Sequence, residues 1–465
     1  MAVQLFNHKP GKNGSHWIEL LRSGKAHTIL VVAIDIGKYT HKVMMANVYQ
    51  DVVVKPFELD ASLSGFQLLV AKIEETCQKN GLDEVVVGIE TTAHYYEDLV
   101  RLCHEKGYVV RVINSATTSI ERESMLNWSK TDDLDLVAIV HSILQGRGNP
   151  PKSLRKELRT LKKLTRFRRE LVSQRTRLTN QQFALMDTIF REFQGKTVWV
   201  DGKKQKKKPF STMETKTVQY LMRHHPHPED ILTLGEEGLY ELSRKENLKL
   251  RKTAVDCLLE FARESISQPK EELAAELYQL KVTLDLLDNL KEKISDLEKK
   301  IEELLLPTDG ALLLSIPGIG KVLAAELRAE IGPIDDYTHA GQLIKLAGTN
   351  PIVKQSGGHK ATYGGISKQG RRHFRSVVYL VGSKCSVLNP ELRKHYLTLI
   401  DRGKKPRQAY IAIGNRVLRL AFAMLRDRQL YQSRDPEYSL KSILECKIGT
   451  QENRRQFCEA YVFPS

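Results

Sequence analysis

Residues 29–35 read Ile-Leu-Val-Val-Ala-Ile-Asp, and this stretch decides the fold class. An apolar run that ends in a carboxylate is the pattern of a strand buried on both faces of a sheet. Further strands are predicted outward from it at 42–48, 52–57, 85–90 and 108–113, with helices at 63–78, 94–105 and after residue 130. Three strands followed by alternating helices and strands predict a mixed α/β sheet.

Length and composition set the outer limits of the fold. The chain has 465 residues, of which 41% are hydrophobic and 28% are charged. At ~150 residues per domain this length predicts roughly two to four domains, and the composition excludes wholesale disorder. We expect a soluble, cytoplasmic protein, because no stretch approaches the ~18 apolar residues of a membrane helix and the first residues lack the apolar core of a signal peptide.

Neither a disulfide framework nor a zinc site is predicted. The six cysteines are dispersed and form no Cys-x-x-Cys pair. The one cluster of histidines, His224, His225 and His227, has no cysteine or carboxylate at ligand spacing, so a solvated loop is expected there.

The positive charge is concentrated in two blocks. The chain carries 72 Lys and Arg against 56 Asp and Glu, a formal net charge of +16. By segment the charge is −6 for 31–150, +13 for 151–210, −7 for 211–310 and +13 for 311–430. This alternation is expected when some regions contact a polyanion and another collects carboxylates for cations.

Four acids are predicted to converge in the first acidic segment. Asp35 and Glu90 each end an apolar strand, and neighbouring parallel strands would bring both to one edge of the sheet. Asp132 and Asp135 are three residues apart at the start of a helix and therefore lie on one helix face. Asp133 points elsewhere on that helix and is expected to be a solvated acid near the helix N-terminus.

Crowded carboxylates repel one another unless a cation neutralises them. Their oxygens are the ligands that Mg²⁺ or Mn²⁺ prefers. Two such ions, ~3.5 to 4 Å apart, would stabilise both the attacking and the leaving oxygen in phosphoryl transfer. Each acid alone is as well explained by a structural role at a strand end or a helix cap.

The middle of the chain is predicted to be helical. Residues 151–194 form a strongly basic helical segment, and 195–209 (GKTVWVDGKKQKKKP) is predicted to be a polar loop or flexible insertion. A second long helix ends at Pro307. Its apolar residues recur in steps of four and three with one extra step of three: Leu273, Leu277, Leu280, Leu284, Leu287, Leu290, Ile294, Leu297, Ile301 and Leu304. That spacing favours a coiled coil, with a long core helix of a bundle as the alternative.

Glycine-rich and basic motifs follow. The segment 315–321 (SIPGIGK) resembles the turn of a helix-hairpin-helix module, whose backbone N–H groups hold a phosphate; a plain interhelix turn is the alternative. The residues expected to contact nucleic acid, with a solvated helix face as the alternative for the cations, are Gly318, Gly320, Lys321, Lys368, Arg371, Arg372 and Arg375, together with Lys162, Lys163, Arg166, Arg168 and Arg169 of the first basic block.

Ser356 lies between Gln355 and Gly357 in this glycine-rich stretch. A serine can act as a nucleophile when a base or a metal deprotonates it. On spacing alone, a turn residue is the more frequent explanation for a serine among glycines.

Together these motifs resemble the RuvC-like DEDD transposases of bacterial insertion sequences, the family of bridge-RNA-guided serine recombinases. The resemblance covers about 30–145 and 310–425, in the order of the family. It rests on AIDIGK, GIETTAHYY and KTDDLD in the first block, and on SIPGIGKVLAAELRAEIG, LAGTNP, QSGG and ISKQGRRHFR in the second.

The resemblance implies a function. Asp35, Glu90, Asp132 and Asp135 would bind Mg²⁺ (or Mn²⁺), and Ser356 would attack DNA and form a transient covalent link. Members work as homo-oligomers, here expected to be a dimer to a tetramer, in which the carboxylates of one subunit and the serine of another form a composite site. A structured non-coding guide RNA pairs with donor and target DNA, at the bacterial nucleoid.

The resemblance also predicts the division of the chain. We expect an N-terminal tail (1–27), an RNase H/RuvC-like catalytic domain (28–148), and basic helices with the lysine-rich insertion and the coiled coil (149–306). A mainly helical transposase domain with the helix-hairpin-helix-like motif (307–430) and a C-terminal tail (431–465) follow. The insertion and the tail have no counterpart in the family pattern.

Two other functions are compatible with these residues. A RuvC-like endonuclease or Holliday-junction resolvase would use the same acids with water as the nucleophile, and Ser356 would be structural. A basic coiled-coil scaffold that binds nucleic acid without catalysis is the second alternative, and the four intact acids argue against it.

Overall fold

The computed structural model describes residues 25–90, 95–124, 131–148, 150, 156–200, 203–354, 362–433 and 447–448. The chain divides into two compact units, 1–153 and 154–465. Within the part of the chain that is described, every helix is too short or too polar to span a bilayer.

The first unit is built on a five-stranded sheet. Its elements are β1 (Ile29–Ile36), β2 (Thr40–Asn47), β3 (Val52–Asp60), α1 (Leu63–Asn80), β4 (Glu84–Glu90), α2 (Tyr96–Glu105), β5 (Val109–Ile113), α3 (Ser115–Ser124) and α4 (Asp132–Leu144). The strand order is β3-β2-β1-β4-β5; β1 pairs antiparallel with β2 and parallel with β4, which is itself parallel to β5. The prediction of a mixed α/β sheet is confirmed.

Helices cover both faces of this sheet because β1 is apolar on both. Leu30, Val32 and Ile34 belong to one core, with α1 and α2. The alternate residues of β1, from Ile29 to Ala33, belong to a second core, with α4. A strand buried on both faces reads as a continuous apolar run, as residues 29–34 do.

Gly88 of β4 lets α4 approach the sheet closely. A Cβ atom at this position would lie 2.1 Å from Cδ1 of Ile143 and 2.8 Å from Cγ2 of Ile139, both on α4. Any larger residue would therefore push α4 away from β4.

The second unit contains most of the helices. Its elements are α5 (Lys156–Ile189), β6 (Lys196–Val200), β7 (Lys203–Lys207), α6 (Lys216–His224), α7 (Pro228–Lys245), α8 (Lys252–Glu264), α9 (Ala274–Leu305), α10 (Lys321–Ile331), α11 (Gly341–Ala347), β8 (Pro351–Lys354), β9 (Thr362–Ile366), α12 (Arg372–Leu388), α13 (Pro390–Asp401) and α14 (Pro406–Asp427). Short 3-10 helices of this unit lie at Arg191–Gln194, Lys270–Leu273, Asp309–Ser315 and Ile334–Asp336, and another, Ala26–Thr28, precedes β1 in the first unit. The prediction of a mainly helical C-terminal region is confirmed.

The two long helices, α5 and α9, pack antiparallel. Leu161 near the start of α5 shares a core with Leu297 and Ile301 near the end of α9 and with α10 to α14. Leu185 near the end of α5 shares a different core with Leu284 of α9 and with α6 to α8. A coiled coil is not confirmed, because the leucine seam of α9 packs into these two cores as well as against α5.

The described residues of the lysine-rich insertion include two strands. The prediction of a loop at 195–209 is wrong over the described strands, since β6 and β7 pair antiparallel from Lys196 with Lys207 to Val200 with Lys203. The residues of β6 between the lysines, Thr-Val-Trp-Val, are good strand formers.

The close contact at Gly88 generates a test of the fold. In Gly88→Ala, the added methyl group should destabilise the sheet by about 1 to 3 kcal/mol through overpacking. Hydrogen exchange of the β1 and β4 amides measures this loss as faster exchange. Adding Ile143→Val, which removes the clashing Cδ1 atom, should recover part of it. Equal exchange in the wild type and Gly88→Ala would mean that α4 does not pack on Gly88.

Candidate active site

Asp35 and Glu90 are brought together by the pairing of β1 with β4. Ile34 pairs with Ile89, so the next residue on each strand is Asp35 and Glu90, side by side at the carboxyl end of the two strands. Adjacent residues of parallel strands in register point to the same face of the sheet. Both residues are half-buried, on the face that α4 covers.

The acids of α4 lie in its first turn. Thr131 caps the helix, its Oγ1 accepting a hydrogen bond from the Leu134 backbone N–H at 3.3 Å. Asp132 is exposed, whereas Asp135 is only 6% exposed. The positive end of the helix dipole stabilises carboxylates at this position.

Helix α3 supplies partners for two of the four acids. The Thr118 hydroxyl donates a hydrogen bond to Oε2 of Glu90 at 2.9 Å. Nε of Arg122 lies 3.0 Å from Oδ1 of Asp135, and both side chains are largely buried. The guanidinium therefore compensates a carboxylate charge that burial alone would disfavour. Neither Thr118 nor Arg122 was expected, because the sequence pattern shows no sign of α3.

Lys42 is a further charged group at this edge. It lies directly opposite Asp35 in the β1–β2 pairing, and its Nζ is 2.8 Å from Oδ1 of Asp133. The hydrogen bond to Asp133 raises the pKa of Lys42, which therefore stays protonated. Asp133 is exposed, as expected, but its carboxylate is in an ion pair and not merely solvated.

The four acids suit a divalent cation by their chemistry. All are carboxylates, the hard oxygen ligands of Mg²⁺ and Mn²⁺, and the strand register holds Asp35 next to Glu90. Among the described residues, however, no three His, Cys, Asp or Glu side chains are close enough to hold one ion. Glu90 accepts a hydrogen bond from Thr118, and the Arg122 guanidinium compensates the charge of Asp135.

The predicted nucleophile, Ser356, lies outside the described residues. The chain on either side of it forms β8 and β9, which pair antiparallel. Hydrogen bonds fix the residues that flank this hairpin: the Ser367 hydroxyl contacts Oδ1 of Asn350 at 2.6 Å, and the Thr349 hydroxyl contacts Oδ1 of Asn415 on α14 at 2.5 Å.

The basic residues after the hairpin fall into two groups. Arg371 donates to the Glu330 backbone oxygen at 3.0 Å, and Arg375 donates to the Lys368 backbone oxygen at the same distance. These two arginines hold the backbone near the hairpin. Lys368 and Arg372 are exposed, and neither has an ion-pair partner within the described ranges.

The arginines of α5 are also largely engaged within the unit. Arg169 makes a bidentate pair with Glu326, with both N···O distances 2.7 Å, and Arg166 pairs with Glu330. Arg168 pairs with Glu298 on α9. Glu326 and Glu330 of α10 are almost fully buried. These arginines therefore hold α5 against α10 and α9, while Lys163 is exposed and Lys162 is half-buried. Their predicted contact with nucleic acid stays a prediction.

The Pro-Gly-Ile-Gly turn packs against a helix. Gly318 has a φ of 93°, and a Cβ atom there would lie 3.1 Å from Cα of Cys385 on α12. This contact supports an interhelix turn. Gly320 is exposed, and a Cβ atom on it would meet nothing within 4 Å, so its backbone is accessible. Lys321 pairs with Glu302 of α9.

Comparisons with known proteins give family matches in two separate parts of the chain. Residues 32–191 match a family model described as a transposase and named for the DEDD acids and the IS110 elements. Residues 310–397 match the model described as transposase IS116/IS110/IS902 family. Together these matches span more than half of the chain and contain all four acids and the serine.

Individual relatives are similar to this chain at 26% identity. The insertion element IS116 44.8 kDa protein of Streptomyces clavuligerus is 26% identical over 66% of this chain and 74% of its own length. The pilin gene-inverting protein of Moraxella bovis is 26% identical over 37% of this chain and 55% of its own length. The transposase for insertion sequence element IS1328 of Yersinia enterocolitica is 26% identical over 29% of this chain and 41% of its own length.

Arg169, which is paired with a buried glutamate, and Arg372, which is exposed, should respond differently to substitution. Arg169→Gln should destabilise the second unit by about 3 kcal/mol, because it leaves buried Glu326 without its partner. Hydrogen exchange of the α10 amides measures this effect. Arg372→Gln, the matched control at an exposed site, should leave exchange unchanged and lower the slope of log affinity for duplex DNA against log salt by about 0.9. An Arg169→Gln variant with unchanged exchange and the same reduced slope would mean that Arg169 contacts phosphate instead.

Proposed function

The chain belongs to the IS116/IS110/IS902 family of insertion-sequence transposases, which are DNA-recombining enzymes, and we propose that it exchanges DNA strands with a carboxylate-bound metal and a serine nucleophile. The observation that carries this proposal is the β1–β4 register, which sets Asp35 beside Glu90 on the face of the sheet that α4 covers; Asp132 and Asp135 lie in the first turn of that helix. The proposed metal would bind at this edge of the sheet.

The metal would be held by Asp35, Glu90, Asp132 and Asp135. When bound, Mg²⁺ would neutralise these acids and stabilise the oxygens of the reacting phosphate. Two residues of α3 contact these acids. Thr118 orients Glu90 through its hydroxyl, and Arg122 places a positive charge beside the carboxylate of Asp135.

Lys42 acts differently from the four acids. It forms an ion pair with Asp133, whereas Asp132, which is also exposed, has no ion pair among the described residues. Asp133 is accordingly assigned a structural role and is excluded from the proposed ligand set.

Ser356 supplies the attacking oxygen. Its hydroxyl loses a proton and Oγ bonds to the phosphorus of a DNA strand, while the bond from phosphorus to the departing strand oxygen breaks and that oxygen takes up a proton. The covalent link preserves the energy of the phosphodiester, so attack by another strand end restores a DNA backbone. Water as the nucleophile would leave a cut strand instead.

Strand exchange is favoured over hydrolysis by the relatives. The two proteins named for inverting pilin genes, from Moraxella bovis and Moraxella lacunata, are named for a DNA rearrangement, in which strands are rejoined after they are cut. A nuclease or a junction resolvase would only cut.

The expected partners are DNA, a guide RNA and further copies of this chain. The two segments of charge +13 supply the positive charge that donor DNA, target DNA and a structured guide RNA require. The resemblance to guided recombinases supports the RNA, a homo-oligomer and action at the bacterial nucleoid.

A covalent protein–DNA adduct tests the proposal. The protein is incubated with the DNA of its element, the adjacent non-coding RNA and Mg²⁺, and adducts that survive denaturation are counted. The wild type should form the adduct, and Ser356→Ala should lower its yield by on the order of 10³-fold or more. Ser367→Ala is the matched control, since that hydroxyl is bound to Asn350, and should retain the adduct.

Paired aspartate variants test the carboxylates in the same assay. Asp132→Asn should abolish cleavage, whereas Asp133→Asn, which removes only the partner of Lys42, should retain it. Cleavage that persists unchanged in Ser356→Ala would contradict the serine mechanism and favour a water-dependent nuclease. Normal cleavage by Asp132→Asn would contradict the metal assignment.

A further inference from the structure

The hairpin formed by β6 and β7 presents two different faces. In antiparallel pairing, residues directly opposite one another share a face, and successive residues alternate between faces. Lys196 and Lys207 therefore share one face of the hairpin. Trp199 and Lys204 share the other face with the pair Thr197 and Lys206.

The first face is tied to α8. Lys196 forms an ion pair with Glu264, and Lys207 forms one with Glu260, one helical turn earlier on the same helix. Hydrogen bonds to these glutamates raise the pKa of both lysines. The pairs also offset the repulsion between two lysines that lie directly opposite each other. The hairpin is thus fixed in orientation at its base.

The second face carries an exposed aromatic ring among cations. The side chain of Trp199 is 67% exposed, and Nζ of Lys204 lies 5.2 Å from the ring centroid. All of β7 is exposed. Within the described part of the chain, the lysines that have no ion-pair partner here are Lys203, Lys204, Lys206 and Lys208. Because Trp199 is mostly exposed, it buries little apolar area, and its contact with Lys204 contributes only modestly to the stability of the monomer.

The chemistry of this face fits unpaired nucleotides. A strand of nucleic acid without a partner exposes the flat faces of its bases, on which aromatic side chains stack, and cations beside the ring contact its phosphates. In a duplex the base faces are covered by their neighbours. An indole that shares its face with Lys204 and Lys206 therefore matches a single strand by both stacking and charge.

We propose that the face of the β6–β7 hairpin formed by Trp199, Lys204 and Lys206 binds a single-stranded segment of the DNA on which the enzyme acts. The indole stacks on one base, and the lysines contact the phosphates on either side of it. The choice of DNA rests on the proposed function, because strand exchange opens the duplex and exposes unpaired bases. The hairpin then holds a cleaved strand until that strand is rejoined.

Equilibrium binding of the full-length protein to single-stranded DNA tests this proposal. Trp199→Ala should weaken binding about tenfold or more, since the stacked base loses its platform. Trp199→Phe keeps an aromatic ring and should recover most of the affinity. The variant Lys204→Gln/Lys206→Gln should lower the slope of log affinity against log salt by about 1.4, at roughly 0.7 for each lost contact to a single strand.

Lys281→Gln/Lys300→Gln is the matched control for charge. Both lysines are exposed on α9, and the change in net charge is the same. This control should leave the slope unchanged. An equal loss in both double variants would contradict a site on the hairpin and indicate a general effect of net charge.

Separate arms of the experiment distinguish other ligands. Unchanged affinity of Trp199→Ala for single-stranded DNA would overturn the proposal. The proposal would also be overturned if Trp199→Ala lowered the affinity for duplex DNA more than the affinity for single-stranded DNA. An equal loss of affinity for single-stranded RNA and single-stranded DNA would overturn it as well. Failure of the proposed function has a different signature: the wild type forms no Ser356 adduct, while the effect of Trp199→Ala on strand binding persists. Failure of the hairpin proposal leaves the adduct intact and the binding of Trp199→Ala unchanged.

Discussion

Backbone hydrogen bonds between β1 and β4 pair Ile34 with Ile89, and that register places Asp35 beside Glu90 at the edge of the sheet. The same strands must also accept α4 on the face that carries these acids. Gly88 permits this, because no side chain separates β4 from Ile139 and Ile143. A shift of one residue in the register would turn either acid to the opposite face. The candidate chemistry of the first unit therefore depends on one strand pairing and one close contact.

The positively charged side chains of the second unit fall into two groups, those in ion pairs that stabilise helix packing and those exposed to solvent. Buried Glu326 and Glu330 hold Arg169 and Arg166, so part of the basic surplus of α5 stabilises the packing of helices. Breaking such buried pairs costs more than breaking exposed ones. Within the described ranges, the cations that have no ion-pair partner, such as Arg372 and the lysines of β7 other than Lys207, are the ones available to phosphates. Net charge alone overstates the surface that can contact nucleic acid.

The sequence predicted those parts of the site that depend on local pattern. Apolar runs ending in acids located Asp35 and Glu90, and the spacing of Asp132 and Asp135 placed them on one helix face. Long-range partners could not be predicted: Glu326 is 157 residues from Arg169, and cross-strand register alone puts Lys42 opposite Asp35. Helix α3 (SATTSIERES) was missed because it has one large apolar residue and hence no helical period. The hairpin did have a signal, Thr-Val-Trp-Val followed by Asp-Gly, which the lysine run obscured.

The proposed mechanism requires a metal site at the edge of the sheet where Asp35 and Glu90 lie. Anomalous diffraction from crystals of the full chain soaked in Mn²⁺ locates manganese independently of any assay of activity. We expect an anomalous peak within about 2.0 to 2.4 Å of the Asp35 and Glu90 carboxylate oxygens, with Asp132 or Asp135 as a further ligand. No peak at this edge with saturating Mn²⁺, or a peak only elsewhere on the chain, would contradict the proposed mechanism.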